Sequence, residues 1–218
     1  MKSILILLAV MTLENPPPFE GVVAASARPA WSQSPQQLLD RAIEDFMAGR
    51  IDQSVAGFDN LANAAPGIAP QLWQRGIALY YAGRYKDCRA QFESHRTVNP
   101  NDVENAAWHF LCVARAESPA KAKSALLPVG PDARIPMLQV YELFQGKRTP
   151  EEVLAAAGSR LDGQFYAHLY LGLYFEAMGN DRLAREHITA AASDRFTAAG
   201  GYMHGVAKIH LSILLRRK

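Results

Sequence analysis

Cysteine is scarce: Cys88 and Cys112 are the only two in 218 residues. Two thiols cannot build a disulfide framework or a four-ligand zinc site. Free cysteine is among the most often buried residue types, so the expectation is two buried thiols in packing positions, with pairing left open should the chain be exported. Excess charge is also missing. Lys plus Arg number 23 against 21 for Asp plus Glu, and the basic residues are scattered apart from Arg216-Arg217-Lys218. A broad nucleic-acid footprint is thereby excluded. The longest apolar run, Ile4 to Leu13, falls well short of the roughly 20 residues a membrane-spanning helix needs. The histidines at 95, 109, 168, 187, 204 and 210 lack the H-x3-H and H-E-x2-H spacings that set two ligands on one helical face, so no metal is expected. No run of alternating apolar and polar residues suggests a strand.

What remains is a globular composition, 49% hydrophobic and 20% charged, which fits neither wholesale disorder nor a bundle of membrane spans. The first 33 residues stand apart. Lys2 before the Ile4–Leu13 run resembles the start of an export signal, and Ala25-Ser26-Ala27 has the small-x-small form of a cleavage site. Glu14, Pro16-Pro17-Pro18 and Glu20 make an unusual approach to it. Residues 1–33 are therefore either an export signal, which would make the protein periplasmic or secreted, or a disordered leader on a cytoplasmic chain. The folded body is expected over residues 34–218.

That body repeats itself. Ala42 and Gly76, Gly49 and Gly83, Ser54 and Cys88, Phe58 and Phe92, and Pro66 and Pro100 are each 34 residues apart. Thirty-four is the period of the tetratricopeptide helix-turn-helix, whose outline is W-x2-L-G-x2-Y, A-x3-F, P. The second unit reads Leu72-x2-Arg75-Gly76-x2-Leu79, Cys88-x3-Phe92, Pro100. Small residues, here Gly76 and Cys88, would let two antiparallel helices cross closely. Gly83 would supply the turn, and Pro100 would stop the second helix. The outline recurs as His168-x2-Leu171-Gly172-x2-Phe175 with Gly179 and Ala184-x3-Ile188, and more weakly as Trp108-x2-Leu111-Cys112 with Ala122-x3-Leu126. Between these, an apolar helix ends at Gly146, and Thr149-Pro150-Glu151-Glu152 starts the next with an N-cap, a first-turn proline and a capping-box acid. The expected fold is an all-α, right-handed superhelical solenoid of tetratricopeptide repeats. Helix pairs are expected over 35–68, 69–102, 103–130, 135–160 and 165–198, with a C-terminal capping helix from about Tyr202 to Arg217 that buries Val206, Ile209, Ile213 and Leu214.

The stretches "RGIALYYAGR" at Arg75–Arg84, "NPND" at Asn99–Asp102 and "YLGLYFEAMGN" at Tyr170–Asn180 resemble those of the periplasmic tetratricopeptide lipoproteins typified by new lipoprotein I. The similarity runs from about residue 36 to 212. It implies a helical, often dimeric, non-enzymatic adaptor of the bacterial cell envelope that brings a periplasmic tail-specific protease to cell-wall hydrolases. The chain departs from that family in having no cysteine before Cys88, so no lipid anchor is expected.

In this repeat the first helices line the concave surface, which singles out Leu39, Ile43, Phe46 and Met47 in the first unit and Trp73, Ile77, Tyr80 and Tyr81 in the second. Together they would form an aromatic and aliphatic trough. Three readings of it stand side by side: a groove for a peptide or protein partner, a homodimer contact, or plain inter-repeat core. The positions where related repeats clamp a C-terminal carboxylate hold Leu39, Ile43, Pro70 and Gln74, which disfavours that mode. No catalytic residue and no cofactor are expected. The competing enzymatic reading is a hydrolase or transferase using His109 or His168, for which no partner residue can be assigned.

Overall fold

The structure, a computed structural model, describes residues 34–216; the expected leader, and with it the question of an export signal, lies outside the described residues, as do Arg217 and Lys218. Among the described residues the fold is all-helical. Helix pairs follow the chain: α1 (Pro35–Met47) with α2 (Ile51–Ala64), α3 (Trp73–Tyr81) with α4 (Tyr85–His95), α5 (Val103–Ala116) with α6 (Pro119–Ser124), α7 (Met137–Phe144) with α8 (Pro150–Ala157), and α9 (Leu161–Ala177) with α10 (Asp181–Ala191). A last helix, α11, runs over Thr197–Arg216 and is broken at Gly201, where φ is 49° and ψ −125°. It packs on α9 and α10 and returns to touch α1.

One turn is used four times. After α1, α3, α7 and α9 the chain passes through Gly49, Gly83, Gly146 and Gly179, all with φ between 74° and 78°. Each glycine amide donates three residues back, Gly49 to the Phe46 carbonyl and Gly83 to the Tyr80 carbonyl, for example, and the next amide donates five back, Arg50 to Asp45 and Arg84 to Leu79. This paired pattern satisfies the last carbonyls of the helix and demands a residue without a Cβ in the left-handed region. The α7–α8 pair, degenerate in sequence, is built on the same turn, and α8 starts with the capping box expected at Thr149 and Glu152.

The close crossings fall where the 34-residue register puts them. A Cβ on Gly76 would lie 2.6 Å from Phe92 Cζ, one on Gly172 2.6 Å from Ile188 Cγ1, and one on Gly57 3.0 Å from the Ala42 Cβ. Gly76 therefore faces a ring on α4, and the partner of that crossing is Phe92, not Cys88 as expected. Cys88 is bonded to Cys112 on α5, with Cα atoms 5.9 Å apart. Both are buried, as expected, and the pairing that the sequence left open is made because α4 and α5 bring them within bridging distance.

Two further departures have local causes. A 3₁₀ turn at Pro66–Gln71 precedes α3, and α6 stops after six residues, well short of 130. The chain from Ala125 to Pro136 is interrupted by Pro128, Gly130, Pro131 and Pro136, which break a helix. It is held by other bonds: the Gly130 amide donates to the Pro100 carbonyl, Arg96 to the Pro128 carbonyl and Tyr141 Oη to the Leu127 carbonyl. At its end Arg134 reaches the carboxylates of Asp102, Glu104 and Asp132 at 2.5–2.7 Å.

Candidate functional site

Of the eight residues named for the trough, Phe46, Trp73, Tyr81 and Met47 meet residues of α11. Phe46 and Ile77 are fully buried, Tyr80 is 6% exposed, and Leu39, Ile43, Trp73 and Tyr81 are half-buried against the core; Met47 is the most open at 37%. The aromatic contacts identify the cover. The Tyr202 ring stacks on Phe46 at 5.9 Å and meets Trp73 edge-on at 5.0 Å. A Cβ on Gly205 would run into Met47 Sδ, so α11 passes close to the end of α1 there.

The seat of α11 also has a polar anchor. His210, 1% exposed, has its Nδ1 3.0 Å from Tyr81 Oη and its Nε2 3.2 Å from Glu176 Oε2. Glu176 is itself buried on α9, with Tyr80 Oη at 3.5 Å and Arg115 at 3.9 Å. Polar groups from α3, α5, α9 and α11 thus meet around Glu176 and Tyr81. Burying a carboxylate without such partners would cost several kcal/mol.

Beside this anchor lies a cavity of about 210 Å³. Trp73 and Ile77 of the trough line it, along with Phe92 and Trp108, and Met203 of α11 supplies another wall. Its polar side is formed by His95, Asp102, Glu104, Asn105 and Arg134. Glu104, with a side chain 14% exposed, accepts from Tyr170 Oη at 2.5 Å. Burial pushes its carboxyl above the usual range, Arg134 opposes that shift and Asp102 adds to it. The same Glu104 and Asp102 charges, added to burial, hold the Tyr170 hydroxyl well above its ordinary pKa.

The histidines named for catalysis lie elsewhere. His109, 1% exposed, has its Nε2 3.3 Å from Glu93, and burial holds its pKa down. His168 Nδ1 lies 3.0 Å from His187 Nδ1, and Phe175 stacks on His187. Burial lowers both rings' affinity for a proton. His109 and His168 are thus each engaged, with Glu93 and with another imidazole, and both cysteines are consumed by the disulfide. Among the described residues no group of three His, Cys, Asp or Glu side chains is placed to hold a metal ion.

Sequence reasoning missed His95, Glu104, Asn105 and Arg134. They come from α4, the first turn of α5 and the segment before α7, and no spacing pattern links them. Only Asp102, inside the quoted Asn99–Asp102 stretch, had been singled out. No protein-family model matches the chain.

Proposed function

We propose that the protein is a non-catalytic interaction scaffold, a right-handed solenoid of tetratricopeptide-type repeats whose concave trough receives a helical segment of a protein partner. The observation that carries this reading is α11 itself: an amphipathic helix lies against Phe46, Trp73 and Tyr81. The trough therefore has the width and the apolar lining that helix-in-groove recognition uses. The four equivalent glycine turns and the Gly76–Phe92 and Gly172–Ile188 crossings support the repeat assignment. The Cys88–Cys112 bond supports an oxidising compartment, in keeping with export and with the resemblance to periplasmic adaptors.

Energetics limit how a partner could enter. Met203, Val206, Ile209 and Leu214 are each at most 9% exposed, and burying one such side chain is worth roughly 1.5–3 kcal/mol. Undocking α11 would forfeit on the order of 6–12 kcal/mol, much of a typical domain's stability. A partner must bring an equivalent helix in exchange. The same burial, taken by itself, favours a second reading, a closed structural module in which α11 is permanent core.

A staple separates the two. Met47→Cys with Gly205→Cys would tie α11 to α1 where Met47 meets Gly205, and a partner captured from the native source would be titrated against the stapled chain and against chains carrying only one of the two substitutions. The scaffold reading expects the staple to abolish binding. Unchanged affinity for the stapled chain would move the partner off this face.

A further inference from the structure

Away from α11, an open pocket of about 430 Å³ lies where α5, α6, α7 and α9 come together. Its base is an aromatic cluster, in which the Phe144 ring meets Phe110 edge-on at 4.9 Å and Tyr174 at 5.4 Å. Phe110 and Phe144 are 2% exposed and form the floor, while half-buried Tyr174 and Met178, 50% exposed, form walls that a bound molecule would touch. One charged side chain lines the pocket, Lys123 of α6. We propose that this pocket binds a small monocarboxylate with an aromatic or branched aliphatic body.

The amine is placed at the pocket by its neighbour. A Cβ on Gly146 would run into Lys123 Nζ, so the side chain lies across the turn that follows α7. Gly146 itself lines the pocket, two residues beyond Phe144. The missing side chain at Gly146 thus serves twice, once for the left-handed turn and once as the space the amine occupies. Lys123 is exposed, and among the described residues its amine has neither an ion pair nor a hydrogen bond. Arg148, next to the same turn, is by contrast held by Glu142 and Glu152.

Charge selects the ligand. No carboxylate lines the pocket, and burial raises the Tyr174 pKa, so its hydroxyl stays neutral and adds no competing negative charge. Aromatic walls alone would attract an organic cation, but the Lys123 ammonium repels one. A neutral molecule gains little from the amine. A carboxylate gains a charge-assisted hydrogen bond, which is stronger beside apolar walls than in open water. The body of the ligand follows from the walls, since small-molecule pockets of roughly 300–1,000 Å³ are lined mainly by aromatic and apolar groups with a few polar ones to fix orientation. Met178, unbranched and polarisable, adapts to ring or branched chain alike. The pocket shares no residue with the trough or with α11, so this inference stands independently of the scaffold reading.

The test is calorimetric titration and thermal melting of the full chain with 3-phenylpropanoate and 4-methylpentanoate as probes. The controls are 3-phenylpropanamide, which is neutral, 3-phenylpropylamine, which is cationic, and acetate, which has no apolar body. Saturable binding and a raised melting temperature are expected for the two probes alone. Lys123→Met should weaken probe binding about tenfold or more, the effect of losing a hydrogen bond to a charged group, and Lys123→Arg should retain it. Lys121→Met, on the same helix but outside the pocket, should leave affinity unchanged. Both lysines are exposed, so the fold of each variant, checked by circular dichroism, is expected to persist. No saturable binding of either probe, equal binding of the amide, the amine or acetate, or unaltered affinity in Lys123→Met would overturn the proposal. An equal loss in Lys121→Met would overturn it as well, because it would mean diffuse attraction to a basic helix.

Discussion

Breaking the Cys88–Cys112 bond tests the largest difference between the chain's composition and its structure. The bond joins α4 to α5 across a sequence separation of 24 with Cα atoms 5.9 Å apart. In the chain-entropy account, closing a loop of about 25 residues lowers the entropy of the unfolded ensemble by about 12 cal/mol/K, or about 3.5 kcal/mol of stability at 25 °C. For a body of this size that corresponds to a fall in melting temperature of about 7–14 °C on reduction. The assay is a urea melt with and without dithiothreitol, with Cys88→Ala/Cys112→Ala as the control on which the reductant must have no effect. Because the constraint acts on the unfolded chain, the reduced protein should also show a steeper dependence on urea. Thiol titration of the denatured, unreduced chain should find none. Two titratable thiols there, or a shift on reduction below about 0.5 kcal/mol, which is far under the loop-closure value, would refute the bond and restore the simpler picture of buried thiols.

Gly76→Ala should be neutral to destabilising by about 2 kcal/mol in a urea melt. A new Cβ 2.6 Å from Phe92 Cζ brings overpacking of about 1–3 kcal/mol against a helix-propensity gain of about 1 kcal/mol, and a stabilised variant would show that the crossing is not close. Acid should weaken the fold between pH 7 and 5, because burial holds the pKa values of His109, His168 and His187 below the ordinary histidine value. Below about 6.5 the unfolded chain takes up protons that the folded chain refuses, so stability falls with pH until the lowered folded values are reached. Glu104, whose folded pKa is raised, works in the opposite sense, so the measurement is melting temperature against pH for the parent and His187→Gln, with a shallower slope expected in the variant.

The helix pairs were legible because their turns impose local demands. A φ near 74° strongly favours glycine, and Gly49, Gly83, Gly146 and Gly179 punctuate the sequence where that turn is used. The Ser118-Pro119 junction, which has no such glycine, is also where the pairing shortens and α6 ends early. The crossing at Gly76 was legible as a need for a small residue, but its partner was misassigned. Which α4 side chain fills the space depends on the rotation of that helix, and Cys88 is turned towards α5 while Phe92 is turned towards α3.

The packing of α11 against Phe46, Trp73 and Tyr81 was not legible in the sequence. Leu39 and Trp73, Ile43 and Ile77, Phe46 and Tyr80, and Met47 and Tyr81 are each 34 residues apart, and the period reaches no further than these pairs. What lies against Phe46, Trp73 and Tyr81 is decided by the kink at Gly201 and by Tyr202, Gly205 and His210, residues more than 100 positions away in sequence. An amphipathic α11 with Val206, Ile209 and Leu214 on one face serves equally well as an end cap or as a groove filler, and periodicity cannot distinguish them. The cavity is harder still. His95, Asn105, Trp108 and Arg134 are unremarkable one by one, and only the packing of α4, α5 and the segment before α7 brings them to one cavity. Local demands, a positive φ or a missing side chain, write themselves into sequence as fixed spacings. Contacts between distant segments belong to the assembled interior, and they leave no spacing behind.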